Sequence, residues 1–233
     1  MELIKTHWQK QDISEFQKIL LSYSKGKEKS EWEKRIVNTS LPCIAVPSTK
    51  VDEIVRQIAK GNFVEFVDLW IWENFTDTVI TGKLICKIKD FSVMKKYLLT
   101  YSQKVDNWAG IDCLKIKIKN KKEYYEFAKA LCHHSYPFTR RLGIIMLFKQ
   151  LEEEYIDVVF QILNSFENET EYYVNMALAW LFCECFIKQR EKTLRFLKTN
   201  KLNKFVINKG ISKCRDSYRV SNEDKKLLLK YKK

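Results

Sequence analysis

Residues 171–180 read Glu-Tyr-Tyr-Val-Asn-Met-Ala-Leu-Ala-Trp and belong to an apolar segment that we predict to be one helix from 169 to 188. Apolar side chains recur there at the three- and four-residue spacing of an α-helix, not at the alternating spacing of a strand. The same pattern returns along the chain in segments of about ten to twenty residues, separated by short polar breaks. The sequence therefore predicts an all-helical protein.

Thirteen helices follow from this periodicity, and several of their starts have a physical basis. Asp90, Asp106 and Asn120 can each cap the amide groups of a first helical turn, and Pro137 suits a first-turn position. The irregular stretch 38–50 separates an N-terminal helical pair from the other helices. The predicted helices span residues 11–23, 29–38, 51–60, 62–73, 76–88, 91–104, 107–117, 121–133, 137–151, 154–165, 169–188, 201–217 and 222–230.

The composition favours helices with short connections. Only 6 glycines and 3 prolines occur in 233 residues, which disfavours turn-dense β-sandwiches and Gly-rich nucleotide loops. Hydrophobic residues make up 45% of the chain, enough for a continuous core. Helix pairs recur roughly every thirty to forty residues, as in degenerate HEAT-type units. We therefore expect one HEAT-like repeat domain over residues 1–233, an all-α solenoid with a concave basic face.

The basic charge is concentrated near the C-terminus. Lys and Arg total 42 against 29 acidic residues, a net charge of +13. Residues 186–233 alone contain 16 basic and 4 acidic residues, which is nearly the whole excess. A one-sided basic surface predicts a polyanionic partner, either nucleic acid or an anionic bilayer. The alternative is a solvated basic tail without a partner.

Other classes of site and location find little support in the sequence. The first ten residues have no apolar stretch, and no run of about 18 apolar residues follows, so we expect a cytoplasmic protein. The seven cysteines lack C-x-x-C spacing and are predicted to be buried free thiols. Cys132, His133 and His134 are consecutive in a helix and cannot all face one ion. No metal or other cofactor is predicted, because nucleotide-binding and zinc motifs are missing.

Two tryptophans are the first candidates for a functional site. Trp108 and Asp112 are four residues apart on one predicted helix and therefore share a face. Trp180 follows Tyr173 by about two turns on another helix. The alternative for each tryptophan is simple packing in the core, and Asp112 could be a solvated acid.

Two arginines stand at an unfavourable place. Arg140 and Arg141 fall in the first turn of the helix predicted to begin at Pro137, where a cation opposes the helix dipole. Such a choice hints at a ligand phosphate or carboxylate. Arginine stems that lie along a groove would give the same pattern.

Four runs resemble the AlkD-type DNA alkylation-repair family, in order and at family-like spacing. They are Val105-Asp106-Asn107-Trp108 followed by Asp112, Phe138 to Ile144, Tyr172 to Trp180, and Ser217-Tyr218-Arg219-Val220. The resemblance covers essentially the full length and is closest from Tyr97 onward. It is weaker at residues 44–50, where the family usually has a Gly, a Pro and a following Arg. This chain keeps Pro47 but has Ala45 and Lys50, which puts an N-terminal phosphate contact in doubt.

The resemblance implies a HEAT-like DNA glycosylase with two tryptophans, an aspartate and an arginine in a concave cleft. Those roles match Trp108, Trp180, Asp112 and Arg141. An N3- or N7-alkylated purine is cationic and leaves readily, so the enzyme mainly stabilises the oxocarbenium-like sugar. The resemblance gives that role to Asp112, with the two indoles against the deoxyribose and Arg141 on a backbone phosphate.

The expected function is therefore monofunctional excision of alkylated purines from double-stranded DNA, by a monomer with no obligate protein partner. Two alternatives stay open. One is a non-enzymatic HEAT-like protein that binds distorted or branched DNA, and the other is a protein-interaction scaffold, which the C-terminal charge disfavours. Further DNA contacts are predicted for Arg140, Tyr173, Lys188, Lys209, Lys213 and Arg219.

Overall fold

A computed structural model describes residues 2–233, and this part of the chain contains fourteen α-helices and no β-strand. The prediction of an all-helical protein is confirmed. A short 3₁₀ helix, Leu229–Tyr231, follows the last α-helix. The α-helices are α1 (Asp12–Ser22), α2 (Lys27–Val37), α3 (Ser48–Ile58), α4 (Phe63–Asp68), α5 (Phe75–Ile85), α6 (Phe91–Lys104), α7 (Trp108–Asp112), α8 (Lys121–Cys132), α9 (Pro137–Leu147), α10 (Ile156–Asn164), α11 (Tyr172–Lys188), α12 (Arg190–Thr199), α13 (Lys204–Asp216) and α14 (Asn222–Leu228).

Two predicted helices extend five residues beyond their observed ends, more than any other. The helix predicted over 62–73 ends at Asp68, because Trp70 adopts a left-handed backbone with φ of 45°. The helix predicted over 107–117 ends at Asp112 and is followed by a non-helical stretch. Lysine and isoleucine alternate in that stretch, and β-branched residues at alternate positions favour an extended chain.

One helix was missed. Residues 190–199 form α12, whose start directly follows the break at Gln189, where φ is −137° and ψ is 57°. The segment is rich in charged side chains, and it buries Thr193, Phe196 and Leu197. Because its apolar face is so narrow, the periodicity in the sequence is weak.

Most of the predicted helix starts are confirmed. The carboxylate of Asp90 accepts hydrogen bonds from the amides of Ser92 and Val93, and Asn120 caps α8. Pro137 is the first residue of α9. The prediction for Asp106 was wrong, because the cap of α7 is its neighbour Asn107.

The chain forms two compact units, which meet in sequence between Lys117 and Ile118. In the first unit α5 packs against both α3 and α7. A Cβ atom on Gly82 would lie only 2.6 Å from the hydroxyl of Tyr101, so α5 needs a glycine at this point. Alternate helices are thus neighbours, which is consistent with a helical repeat.

The second unit has the same kind of layer. Helix α11 packs between α9 and α13 and is buried around most of its circumference, as its apolar sequence predicts. A Cβ atom on Gly210 would lie 2.5 Å from the ring of Phe182, so the glycine brings α13 close to α11. The expectation of a single domain over residues 1–233, with a concave basic face, stays a prediction.

All seven cysteines are free thiols, as predicted, although only four of them are fully buried. Cys132 is the last residue of α8, and His133 and His134 follow its end. Between Glu2 and Lys233, no helix is both long enough and apolar enough to cross a bilayer.

Candidate nucleic-acid interface

Trp108 and Asp112 are the first and last residues of α7, a helix of only five residues. Both side chains are half-buried. So short a helix has little stability of its own, and its start is fixed by Asn107. The fully buried side chain of Asn107 accepts a hydrogen bond of 2.9 Å from the amide of Gly110.

The chain before α7 is attached to a distant segment of the first unit. The carboxylate of Asp106 accepts hydrogen bonds from the hydroxyl of Thr39 at 2.7 Å and from the amide and hydroxyl of Ser40 at 2.6 Å each. The indole Nε1 of Trp108 donates to the carbonyl of Ile36 at 3.2 Å. These contacts hold both the backbone and the ring of the tryptophan.

Beneath α7 lies the buried side chain of Tyr101. Its hydroxyl is 3.0 Å from the carbonyl oxygens of both Thr78 and Gly110, and it therefore links α5 to α7. Burial raises the pKa of Tyr101 well above its ordinary value, so the hydroxyl keeps the proton that it donates. Asp112 is thus the last residue of a helix whose position is fixed by Asn107, Asp106 and Tyr101.

In the second unit the candidate residues occupy one face of α11. Tyr173, Trp180, Glu184 and Lys188 follow one another at intervals of seven and four residues, so they share this face. The ring of Trp180 is 37% exposed and packs edge-on against Phe148, with 4.9 Å between ring centroids. Part of this indole is therefore open to solvent.

A lysine of α13 already lies over that indole. The Nζ atom of Lys213 is 5.8 Å from the centroid of the Trp180 ring, which is the geometry of a cation–π contact. Lys209 and Phe205 precede Lys213 by one and two turns on the same helix face. Phe205 in turn contacts Tyr172, with ring centroids 5.9 Å apart. The two neighbouring helices therefore present a surface of aromatic and basic side chains.

The two arginines of α9 have different surroundings. Arg140 forms an ion pair with Glu169, with the Nε and Nη2 atoms 2.8 and 3.1 Å from its two carboxylate oxygens. Its Nη1 donates to the carbonyls of His134 and Ser135. Arg141 is 5% exposed and donates a hydrogen bond of 2.6 Å to the backbone carbonyl of Tyr173. The ion pair with Glu169 offsets the unfavourable interaction between the Arg140 cation and the dipole of α9.

Part of the C-terminal basic charge is neutralised within the protein. Arg219 donates to both carboxylate oxygens of Glu184, Arg190 pairs with Asp224, and Lys192 pairs with Asp157 at 3.0 Å. Lys188 and Lys209 are exposed and form no ion pair with any residue from Glu2 to Lys233. The C-terminal basic residues therefore form two sets. One set is paired with carboxylates of the protein, and the other is exposed to solvent without an ion pair.

The sequence profile of a family described as DNA alkylation repair enzyme matches residues 17–214. The chain belongs to this DNA alkylation repair enzyme family. Comparison with curated proteins finds no significant match. Membership implies a DNA substrate and a role in DNA repair. The matched range includes Trp108, Asp112, Arg141 and Trp180, whereas residues 217–220 lie beyond it.

In this member of the DNA alkylation repair enzyme family, several side chains that the sequence suggested for DNA binding lie close to one another in the second unit. Arg141 contacts Tyr173, Lys213 lies over Trp180, and Arg219 binds Glu184, all on or beside α11. Trp108 and Asp112 lie together on α7 of the first unit. Sequence reasoning missed the basic side chains of the first unit, although the alternation of lysine and isoleucine at 115–119 was visible. No group of three or more metal-binding side chains occurs within residues 2–233.

Proposed function

We propose that this protein is a monofunctional DNA glycosylase that excises cationic N3- or N7-alkylated purines from duplex DNA. Family membership supports a DNA substrate, and one contact supports the chemistry. The ammonium group of Lys213 lies over the partly exposed ring of Trp180. This indole therefore attracts a cation in the absence of DNA, which is the property required to stabilise a sugar that becomes positively charged.

Loss of an alkylated purine requires no strong general acid. The base is already cationic and departs with the electrons of the glycosidic bond, which leaves positive charge on the deoxyribose. In our proposal the carboxylate of Asp112 stabilises this charge and orients the attacking water, while Trp108 and Trp180 pack against the sugar. A water oxygen then bonds to the anomeric carbon and releases its proton, which gives an abasic site.

The supports of α7 favour this role for Asp112. Electrostatic stabilisation is most effective when the charged group is already in place before the reaction. Asn107, Asp106 and Tyr101 hold α7 through buried or half-buried hydrogen bonds. Asp112 is therefore carried by a segment whose position is fixed independently of DNA.

We assign Arg141 to a phosphate near the lesion. The planar guanidinium suits phosphate oxygens, and it carries five N–H donors. The bond to the carbonyl of Tyr173 sets the orientation of the group. Arg140 contributes by holding the start of α9 through Glu169.

Release of alkylated base from methylated duplex DNA tests the proposal. We expect wild-type protein to release base and Asp112→Asn to do so about 10²- to 10³-fold more slowly, as when an electrostatic stabiliser is removed elsewhere. Binding to undamaged duplex should change little. Glu28→Gln on α2, an exposed position with the same charge change, is the matched control. Equal loss of excision and binding in Asp112→Asn would contradict the assignment.

The absence of strand cleavage is a second part of the proposal. Hydrolysis by water leaves an abasic site, whereas a lysine nucleophile would form a Schiff base with the sugar and could cleave the strand. Treatment with borohydride during the reaction distinguishes the two. We expect no covalent complex with DNA, and a trapped complex would overturn the monofunctional mechanism.

Binding of distorted or branched DNA without excision is the second candidate function. The contact between Lys213 and Trp180 also favours it, because a lysine that stays on the indole would exclude the sugar. Salt-sensitive binding of DNA without any release of base would support this second function.

A further inference from the structure

A basic cavity of about 560 Å³ lies within the first unit, between α3, α5 and the segment after α7. Its volume is that of a typical pocket for a small organic group. We refer to it as the α3–α5 pocket. The charged side chains that line it are Asp52, Arg56, Lys83, Lys87, Lys115 and Lys117.

The local structure brings these cations to one place. Lys83 and Lys87 are four residues apart, on α5 and just beyond its end, so they extend in the same direction. Lys115 and Lys117 belong to the non-helical segment after α7. Ile116 between them is 3% exposed and points into the core, which leaves the two lysines exposed on the opposite side.

The charge of the pocket is not balanced by the protein. Asp52 is the only carboxylate in the lining, and Lys83 binds it at 2.5 Å. Lys87, Lys115 and Lys117 form no ion pair within residues 2–233. Ammonium groups gathered around one cavity repel one another unless an anion occupies it. The pocket is therefore suited to an anionic ligand.

Lys50, at the start of α3, is engaged by neighbouring side chains. Lys50 stands near the place where the resemblance leads us to expect an arginine. Its Nζ atom is 2.9 Å from Glu53 and 5.1 Å from the centroid of the Tyr23 ring. Lys50 is thus engaged by its own unit, whereas Arg56 on the same helix lines the α3–α5 pocket.

A neighbouring groove links the pocket to α7. A second cavity of about 310 Å³ shares Lys83 with the pocket and extends to Ala109 and Cys113. Ala109 is on the helix that ends at Asp112. The lining of this second cavity is mainly apolar and includes Glu33. The pocket and α7 therefore border neighbouring cavities of the same unit, which suits an extended polyanion better than one small anion.

We propose that the α3–α5 pocket binds a phosphate of the DNA backbone. This proposal rests on the proposed function in one respect, that duplex DNA is the ligand. It does not require that the protein excise bases. The shared chemistry is a phosphate anion, and free polyphosphate is the other source that must be tested.

The experiment measures binding of an undamaged duplex by fluorescence anisotropy over a range of salt concentrations. The test variant is Lys115→Ala with Lys117→Ala, and the matched control is Lys18→Ala with Lys29→Ala, two exposed lysines of α1 and α2 outside the pocket. We expect the test variant to bind on the order of tenfold more weakly and to lose about 2 from the slope of log K against log salt. The control should keep the wild-type affinity and slope.

Each other result overturns the proposal. An unchanged slope in the test variant would remove the pocket from the interface, and an equal loss in both variants would show only general charge attraction. If tripolyphosphate raises the Tm of wild type while the DNA slope of the test variant is unchanged, the pocket binds small anions instead. The two proposals can fail separately, because the salt slope is measured on undamaged duplex and does not depend on base release. A lower slope in the test variant without any base release by wild type would support the pocket and contradict the glycosylase.

Discussion

The helices α7 and α11 carry the two sets of candidate residues, and they are held in different ways. Helix α7 has five residues and depends on Asn107, Asp106 and Tyr101 for its position. Helix α11 has 17 residues and packs against α9, α12 and α13, and its own periodicity brings Tyr173 and Trp180 to one face. A site on a long helix is therefore set by its sequence pattern, whereas a site on a short helix is set by contacts from elsewhere in the chain.

The largest effect is expected at Arg140 on α9, which the sequence suggested as a DNA contact. This residue pairs with Glu169, just before the start of α11. Its ion pair with Glu169 is mostly buried, so Arg140→Met should lower the free energy of unfolding by about 3 kcal/mol, because it leaves a carboxylate without its partner. We expect the salt dependence of DNA binding to stay the same. Urea unfolding and anisotropy measure the two effects.

A second variant shows whether the loss is due to the ion pair. The double variant Arg140→Met with Glu169→Gln removes both charges and should recover part of the stability. A lower salt slope with unchanged stability in Arg140→Met would show instead that Arg140 contacts a phosphate.

The buried polar network of the first unit predicts a pH dependence at Asp77 of α5. Burial raises the pKa of Asp77 to about 6, although Gln17 and the amides of Glu73 and Asn74 donate to its carboxylate. Because the folded pKa lies above the ordinary value of 3.8, this group favours folding below about pH 4. The contribution is lost as the pH rises through 6 and amounts to about 3 kcal/mol.

Urea unfolding of wild type and Asp77→Asn from pH 4 to pH 7 measures this contribution. Other carboxylates of the chain titrate in both proteins, so the difference between the two free energies isolates Asp77. We expect wild type to lose about 2 kcal/mol relative to the variant over this range, because the unfolded carboxyl is already partly ionised at pH 4. A constant difference would mean that Asp77 titrates in its ordinary range.

The contrast between a long helix and a short one also explains which features the sequence could predict. Periodicity located α6 and most other helices, and spacing placed Trp180 beside Tyr173, because these features repeat along one helix. It could not show that α7 stops at Asp112, that Asp106 binds Thr39, or that Lys115 faces a cavity. Those features depend on residues far apart in the chain and on a switch from helical to extended backbone.

Removal of the Asn107 cap tests how strongly the position of Trp108 and Asp112 depends on the start of α7. Asn107→Ala should lower the free energy of unfolding by about 1–2 kcal/mol and also slow base release, because the amide of Gly110 loses its partner. The matched control is Asn120→Ala, which removes the same kind of cap from the exposed start of α8. We expect this control to lose about 1 kcal/mol or less and to keep its rate of base release. Equal rates in the two variants would show that α7 does not need its cap.

The smallest expected effect concerns the lysine over Trp180. A partly exposed cation–π contact contributes about 0.5–1 kcal/mol, which the sugar must overcome to reach the indole. Lys213→Gln should therefore raise the single-turnover rate of base release about two- to fivefold at saturating protein, while it lowers the salt slope of binding by about 1. The control is Lys209→Gln, one turn away on the same face, which removes a charge but leaves Trp180 covered. If both variants slow release equally, Lys213 acts only as a DNA contact, and the indole face is not where the cationic sugar binds.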